Sequence, residues 1–361
     1  MIKRRHFLGS VAAFLATPAV SRLSAASAPG AASTGTLNWQ NDVIETVPHN
    51  SARRSPVVTG VSLQPAGGDL LAIVGDDHYI CLYDIKEQRY IEHLNNHTDW
   101  IRTAKFSPDG TKLATGGNDR RLLLWSDDRW GRPAIQKRHP SAIIECAFSN
   151  DGKKLATVGF ESALRIYDPK TGKKIQQLRC VCPDNHAVAF SADDKLIAAG
   201  GRCGTIRVWD LETGNTRTQF KAHKKRIRSI EFTAEGNLVS ASDDQRIQIT
   251  DIRNPQAPRS LPRHASKLYS MALLSDGLLA TGGSDNQIHI WNLDQLEEVG
   301  PLKGHTGTVT CLDHASDKLV SGSYDTHVRL WQTETQPSAP VQRQTKLIGN
   351  PDLNGWSPRI K

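Results

Sequence analysis

Residues Gly304–Trp331 read GHTGTVTCLDHASDKLVSGSYDTHVRLW, and this stretch decides the fold. Much of its pattern recurs at His97–Trp125, which reads HTDWIRTAKFSPDGTKLATGGNDRRLLLW. In such stretches, short runs of alternating apolar and polar residues, for example Lys112–Thr115 and Leu122–Trp125, are separated by turn residues. This pattern is typical of short antiparallel strands joined by tight turns. We therefore predict four short strands in each unit.

The aromatic residue at the end of each stretch recurs with a period near forty. The equivalent positions along the chain are Tyr83, Trp125, Tyr167, Trp209, Thr250, Trp291 and Trp331. The intervals between them are 42, 42, 42, 41, 41 and 40 residues, which is too regular for chance. Seven copies of one unit predict a single repetitive domain, although a length of 361 residues would otherwise suggest two or three domains.

The two quoted stretches closely resemble WD repeats, a family that builds β-propellers from four-stranded blades around a central channel. The resemblance covers about residues 37–332 and implies an all-β fold, a seven-bladed propeller that we place at residues 37–335. In the family, an N-terminal strand closes the ring by joining the last blade. The run Leu37–Val47 precedes His49 as an outer strand precedes each later His, so we expect it to close this ring and remove its exposed edges.

The resemblance also implies a buried hydrogen-bond chain within each blade. In the family, a His before the first strand bonds an Asp in a later turn, and a Ser or Thr and the Trp complete the set. Buried polar groups cost about 1–3 kcal/mol each when unpaired, so a complete set favours one packing arrangement. We expect these histidines to be structural rather than catalytic. The complete sets are His97, Thr115, Asp119 and Trp125; His264, Thr281, Asp285 and Trp291; and His305, Ser321, Asp325 and Trp331.

The fourth unit departs from this pattern because Val181 stands at its His position and Cys203 at its Asp position. These two positions touch each other in the other blades of the family. We therefore expect a disulfide from Cys203 to Cys182 or to Cys180, with Cys182 favoured. Two alternatives remain open: a metal or redox site formed by the three cysteines with His186, and three free thiols.

Propellers of this family generally bind other molecules on their narrow "top" face, through residues three and five after the His position and one before the Asp position. Transferred to this chain, these positions are rich in arginine and aromatic residues, which dominate binding hot spots. Aromatic side chains would bind apolar groups, and guanidinium groups would pair with carboxylates. We therefore predict a protein partner with an acidic segment that carries apolar side chains. The predicted contact residues are Trp100, Arg102, Phe160, Arg202, Arg226, Arg228, Lys267, Tyr269 and Tyr324.

The N-terminus has the layout of an export signal. Arg4 and Arg5 precede a short apolar stretch from Phe7 to Val20, and the arrangement closely resembles a twin-arginine signal. Small residues favour cleavage after Ala26; cleavage after Ala28 fits the small residues equally well, but Pro29 would then follow the cut. We therefore predict a signal peptide at residues 1–26, a linker at 27–36, a flexible tail at 336–361, and a periplasmic or extracytoplasmic location without a stable membrane anchor.

Composition excludes several classes of protein. With 38% hydrophobic and 23% charged residues and six cysteines, the chain is too apolar to be wholly disordered and too poor in cysteine for a disulfide scaffold. The formal net charge of +8 comes partly from residues 1–26, which hold four basic residues and no acid. The remainder is only mildly basic, and the run Lys224–Arg228 is typical of a solvated face, so no nucleic-acid partner is predicted.

No sequence motif indicates catalysis, because the chain has no phosphate-binding glycine loop, HExxH motif or nucleophile elbow. The preferred hypothesis is a non-catalytic, exported scaffold, monomeric within a complex, that needs no cofactor and no metal. Two alternatives are kept. One is a periplasmic enzyme or a metal-carrying propeller that uses Cys180, Cys182 and Cys203. The other is a cytosolic scaffold whose N-terminus is not cleaved.

Overall fold

A computed structural model of the chain describes residues 39–46, 54–65, 67–127 and 130–333. Within these ranges every regular element is a β-strand, so none of them contains a helix that could cross a membrane. The strands form seven separate antiparallel sheets of four strands each. The predicted all-β, seven-bladed propeller is confirmed. The predicted signal peptide, the linker, His49 and the C-terminal tail lie outside the described residues.

The blades follow one another along the chain, and each runs from its innermost to its outermost strand. Blades 1 and 2 contain β2 (Val58–Leu63), β3 (Leu70–Gly75), β4 (Ile80–Asp84), β5 (Arg89–Leu94), β6 (Ile101–Phe106), β7 (Lys112–Gly117), β8 (Arg121–Ser126) and β9 (Ile135–Arg138). Blades 3 and 4 contain β10 (Ile143–Phe148), β11 (Leu155–Gly159), β12 (Ala163–Tyr167), β13 (Lys174–Arg179), β14 (Asn185–Phe190), β15 (Leu196–Gly201), β16 (Thr205–Asp210) and β17 (Thr216–Lys221). Blades 5 and 6 contain β18 (Ile227–Phe232), β19 (Asn237–Ser242), β20 (Ile247–Asp251), β21 (Arg259–Ser260), β22 (Leu268–Leu273), β23 (Leu278–Gly283), β24 (Ile288–Asn292) and β25 (Glu297–Leu302). Blade 7 contains β26 (Val309–Ala315), β27 (Lys318–Ser323), β28 (His327–Thr333) and, from the start of the chain, β1 (Trp39–Glu45).

The ring is closed by the first strand of the chain. Strand β1 pairs antiparallel with β28 along its whole length, from Trp39 opposite Thr333 to Glu45 opposite His327. On the inside of the ring, β26 of the last blade packs against β2 of the first. The predicted closure is therefore confirmed, and it leaves no blade with only three strands.

Neighbouring blades share hydrophobic layers, which explains why the second strand of each blade is apolar almost throughout. One such layer joins Ile80 and Leu82 of blade 1 to Ile101, Leu113 and Trp125 of blade 2. Each middle strand is covered on both faces by adjacent blades, so it reads as a run of buried residues rather than as an alternating one. The first strands, by contrast, line the central channel, and that channel positions the candidate site.

Candidate protein-binding face

One backbone hydrogen bond recurs in all seven blades and aligns the predicted top-face positions. The amide of the residue before the Asp position donates to the carbonyl of the residue three after the His position, at 2.8–3.3 Å. This bond holds two of the three predicted contact positions of every blade side by side at the same end of the ring. The donor and acceptor pairs are Asp76 to Val57, Asn118 to Trp100, Phe160 to Ala142, Arg202 to Asp184, Asp243 to Arg226, Ser284 to Lys267 and Tyr324 to Thr308.

The central channel has a volume of about 590 Å³ and is lined by the innermost strands of all seven blades. Most of the predicted contact residues line it, whereas Trp100, Arg202 and Lys267 do not. The predicted residues in the lining are Arg102, Phe160, Arg226, Arg228, Tyr269 and Tyr324.

Three large aromatic side chains on this face are exposed to solvent. Trp100 is 40% exposed, Phe160 is 47% exposed and Tyr324 is 52% exposed. Exposed aromatic side chains of this size are the residues that most often anchor protein partners. Phe160 also packs edge-on against the ring of His186 in the next blade, with the ring centres 5.9 Å apart.

Arg226 and Arg228 are each paired with a carboxylate of the same molecule, and their predicted contact with a partner stays a prediction. The Arg226 guanidinium lies 3.4 Å from Asp184 of the preceding blade. Arg228 donates two hydrogen bonds to Asp243, at 2.8 and 3.2 Å, and its guanidinium also lies over the ring of Tyr269 at 5.0 Å. Both charges are therefore neutralised within the molecule.

Arg102 is also engaged within the molecule, whereas two other predicted cations are exposed. The Arg102 guanidinium lies 5.0 Å from the centre of the Trp100 ring and donates to the Asn118 side chain at 3.0 Å. Burial lowers the pKa of Arg102. Arg202 and Lys267 are exposed at the rim, so these two residues are the better candidates for pairing with acidic groups.

Ionisable residues deeper in the channel were not singled out from the sequence. Lys105 donates to Asp313 at 2.8 Å, and Asp313 also accepts a hydrogen bond from the amide of Leu63 at 2.8 Å. Glu231 accepts one from the amide of Leu273 in the next blade, at 3.0 Å. These acids link neighbouring blades, and burial raises the pKa of Glu231 to about 7. Each of these residues occupies the fifth position in the first strand of its blade, and this shared position could have revealed Lys105, Glu231 and Asp313.

The hydrogen-bond chain is closed in blade 7. His305 lies 2.8 Å from Asp325 through Nδ1 and 2.7 Å from Ser321 through Nε2, and the Trp331 indole donates to Ser321 at 2.8 Å. All four side chains are nearly or fully buried. Blade 2 contains the equivalent contacts, at 2.9–3.0 Å, through His97, Thr115, Asp119 and Trp125.

In blade 6 the hydrogen-bond chain is not closed, although the sequence predicts a complete set there. Trp291 donates to Thr281 at 2.9 Å as expected, but His264 Nδ1 lies 3.8 Å from Asp285. The cause is His289, which projects from β24 beside Trp291 and lies 3.0 Å from Asp285 through Nε2. Asp285 therefore binds His289 in place of His264. Burial alone would lower the pKa of His289, but its bonds to Asp285 and Glu298 raise it.

Two of the three cysteines of blade 4 are brought together. The Cα atoms of Cys182 and Cys203 are 5.8 Å apart and their sulfur atoms are in contact, a separation suited to a disulfide. Cys180 instead packs in the hydrophobic layer with Leu178 and Trp209, and burial raises the pKa of its thiol to about 12. A metal site needs thiolates, so this packing argues against a site that includes Cys180.

Comparison with protein-family models finds the WD domain, G-beta repeat. Five segments of the chain match this repeat and together cover just over half of its length. The matched residues are 88–126, 177–210, 214–251, 256–292 and 296–332.

Several curated proteins are similar to this chain over shorter segments. Nuclear distribution protein PAC1 of Coccidioides posadasii is 33% identical over 92 residues, which are 25% of this chain and 19% of that protein. Protein transport protein SEC13 of Candida albicans is 36% identical over 92 residues, 23% of this chain and 31% of that protein. Mitochondrial division protein 1 of Mycosarcoma maydis is 30% identical over 83 residues, 21% of this chain and 10% of that protein. The chain thus spans less than a third of the length of each of these relatives.

Proposed function

The chain belongs to the WD-repeat family, whose propellers generally act as non-catalytic scaffolds, and from that premise we propose that it binds another protein on its top face, at the mouth of the channel. The observation that carries the proposal is the exposure of Trp100, Phe160 and Tyr324 on this one face. Burying three aromatic side chains of this size would supply most of the binding energy of a compact interface.

The top face has two differently built sectors. Blades 7, 2 and 3 contribute the exposed aromatic residues Tyr324, Trp100 and Phe160, whereas blades 4 and 6 contribute the exposed cations Arg202 and Lys267. This division supports a partner segment with apolar side chains on one part and carboxylates on another. The rigid ring would hold both sectors in place before binding and so reduce the entropy that binding costs.

The test is capture of the partner from the native host by wild-type and variant proteins, followed by measurement of affinity. We expect Phe160→Ala to weaken the captured complex about tenfold or more, as loss of a hot-spot aromatic does. The matched control is Ile175→Ala, because Ile175 is 52% exposed and lies on the outer strand β13 of the same blade. For the cationic sector, Arg202→Glu is compared with Arg217→Glu, which is exposed on the outer strand β17 of blade 4.

Equal capture by Phe160→Ala and Ile175→Ala, with unchanged melting temperatures, would contradict binding on the top face. A loss in Phe160→Ala with no difference between the two arginine variants would retain the face but remove the acidic character of the partner. Arg226 and Arg228 are unsuitable for this test, since changing them also breaks their ion pairs with Asp184 and Asp243.

We further propose that the chain is exported, with residues 1–26 as a twin-arginine signal and with a disulfide between Cys182 and Cys203. The support is the Arg4-Arg5 pair before a short apolar stretch, together with a cysteine pair whose geometry suits a covalent bond. Such a bond persists only in an oxidising compartment.

Intact-mass spectrometry of protein isolated from the native host tests both parts. Export predicts the loss of about 26 residues, and the disulfide predicts a gain of about two daltons on reduction. A full-length chain whose mass does not change on reduction would place the protein in the cytosol and leave the top-face proposal standing.

A further inference from the structure

The open hydrogen-bond chain of blade 6 gathers two imidazoles and a carboxylate that a closed chain would keep apart. One nitrogen of His264, one of His289 and one oxygen of Asp285 all lie within 4.8 Å of one another. His289 Nε2 is 3.0 Å and His264 Nδ1 is 3.8 Å from the same oxygen of Asp285. Ligand atoms around a tetrahedral zinc ion, with bonds of 2.0–2.1 Å, lie about 3.3 Å apart. The distances from the two imidazoles to Asp285 lie on either side of this spacing.

His264 has a free coordination capacity that its counterparts lack. Its ring is 3% exposed, yet Nε2 has no hydrogen-bond partner among the described residues. Nδ1 accepts a hydrogen bond from the amide of Ser266 at 3.2 Å and also lies 3.2 Å from the Ser266 hydroxyl. Among the described residues, no hydrogen bond joins Nε2 to Thr281, whereas Nε2 of His305 is bonded to Ser321. In blade 7 both ring nitrogens of His305 are already bonded.

A second carboxylate orients His289. Glu298 lies 2.6 Å from His289 Nδ1, and this contact directs Nε2 toward Asp285. A carboxylate behind a histidine is the usual outer partner of a metal-binding imidazole, since it fixes the ring and makes the ligating nitrogen more basic. Glu298 is therefore a positioning residue and not a ligand.

The charge balance also favours a divalent cation. Asp285 and Glu298 bring two carboxylates to within 3.0 Å of His289. A divalent ion would offset their negative charge, and it would compete with protons for the ligand atoms. Two nitrogens and one oxygen suit zinc or a neighbouring transition metal better than calcium or magnesium, which prefer oxygen ligands.

The position of His289 is what distinguishes blade 6 from blade 7. The equivalent residue of blade 7 is Arg329, which donates to Asn41 at 2.7 Å and to the carbonyl of Gly304 at 2.8 Å. Arg329 thus leaves Asp325 to its histidine, and a permanently charged guanidinium cannot bind a metal.

We propose that His264, Asp285 and His289 form a binding site for a divalent transition metal such as Zn²⁺, with Glu298 orienting His289. The site lies between the His loop and the third strand of blade 6, so a bound ion would fasten these two elements as the hydrogen-bond chain does in blade 7. It is distinct from the cysteine cluster of blade 4 and from the top-face aromatic residues.

The experiment is calorimetric titration of the chelator-treated full-length chain with Zn²⁺ at pH 7.5, with Co²⁺ absorption as a spectroscopic readout of ligand geometry. We expect one ion per chain, a tetrahedral Co²⁺ spectrum, and a higher melting temperature with Zn²⁺. His289→Gln should abolish the binding, and Glu298→Gln should weaken it about 10- to 100-fold. The control is His327→Gln, which removes a half-exposed histidine of blade 7 that forms no such group with the other described residues.

Two results would overturn the proposal. One is the absence of stoichiometric Zn²⁺ binding to the wild-type protein. The other is equal binding by wild type, His289→Gln and His327→Gln, which would place the ion elsewhere in the chain. Melting curves recorded without metal show whether each variant is folded, so a loss of binding caused by misfolding is recognised directly.

Discussion

In blades 7 and 4, the loop at the His position contacts the turn at the Asp position, but the two contacts differ in chemistry. In blade 7 the carboxylate of Asp325 lies 2.8 Å from the ring of His305 and accepts hydrogen bonds from the amides of Thr306 and His327, at 2.8 and 3.0 Å. In blade 4 the acid position is Cys203, and its sulfur contacts Cys182.

The comparison explains which cysteine pairs. Asp325 reaches not only His305 but also the amide of the residue after it, and Cys182 stands at that following position in blade 4. A side chain at the acid position therefore already points toward the site of Cys182. Cys180 lies before the His position and packs into the core. The lesson is that the turn, rather than the histidine, sets the geometry of this contact.

The largest expected effect is the loss of the blade 7 carboxylate. Asp325→Ala leaves the buried His305 ring and the amides of Thr306 and His327 without their acceptor. We expect the free energy of unfolding to fall by about 3–5 kcal/mol, as when one partner of a buried pair is removed. Urea denaturation measures it, with Asp317→Ala as control because the Asp317 side chain is 70% exposed. Equal stability of the two variants would mean that the hydrogen-bond chain does not hold the blade.

Removal of the contact between Cys182 and Cys203 in blade 4 should give the second largest loss of unfolding free energy. The two cysteines are 21 residues apart, and a disulfide that closes a loop of this length stabilises a protein by about 3 kcal/mol in the chain-entropy model. Cys203→Ser should lower the unfolding free energy by about this amount in oxidising buffer and have little effect in reducing buffer. An equal effect in both buffers would show that packing, and not a covalent bond, is what Cys203 contributes.

A smaller loss is expected at the equivalent acid of blade 6. In metal-free buffer, Asp285→Ala should cost about 1–2 kcal/mol, since His264 is already disengaged from it and only His289 and one weak amide bond are lost. Thermal denaturation beside Asp325→Ala makes the comparison. A loss of unfolding free energy as large as that of Asp325→Ala would show that the hydrogen-bond chain of blade 6 is closed in solution.

The smallest expected effect is on the pH dependence of stability, which should distinguish the carboxylate contact of blade 7 from the cysteine contact of blade 4. Burial alone would raise the pKa of Asp325, but hydrogen bonds from His305 and the neighbouring amides hold it well below its usual range. The stability that this carboxylate provides is therefore complete above its unfolded pKa near 3.9 and is lost as the pH falls further. The loss relative to pH 7 should reach about 1 kcal/mol at pH 3.

Denaturation curves from pH 7 to pH 3 check this prediction. The difference between wild type and Asp325→Asn should shrink over this range. The difference between wild type and Cys203→Ser should stay constant, because a disulfide does not titrate. A parallel decline of both differences would attribute the acid sensitivity to the whole ring rather than to Asp325.

The fold could be predicted from the sequence because each blade repeats the same local signal about every forty residues. The closure by β1 could also be predicted, since Leu37–Val47 stands before His49 as outer strands stand before the later histidines. The sequence favours Cys182 over Cys180 as the partner of Cys203 but does not decide between them, because the pairing depends on which residue of a loop faces the turn.

The sequence could not reveal how the top-face and blade 6 side chains are partnered. Arg226 and Asp184 belong to neighbouring blades and are 42 residues apart, so no local pattern joins them. His289 stands at a strand position that holds Leu123 in blade 2 and Arg329 in blade 7, and only its distance to Asp285 shows its effect.

The ring closure has a consequence for the timing of folding. Strand β1 is synthesised before the other strands of the ring, and its partner β28 is synthesised after them. At about 5–20 residues per second, a ribosome needs on the order of 15–60 seconds to pass from one to the other. Throughout that interval both edges of the future seam lack their partners. The propeller can therefore become a closed ring only after β28 has been synthesised.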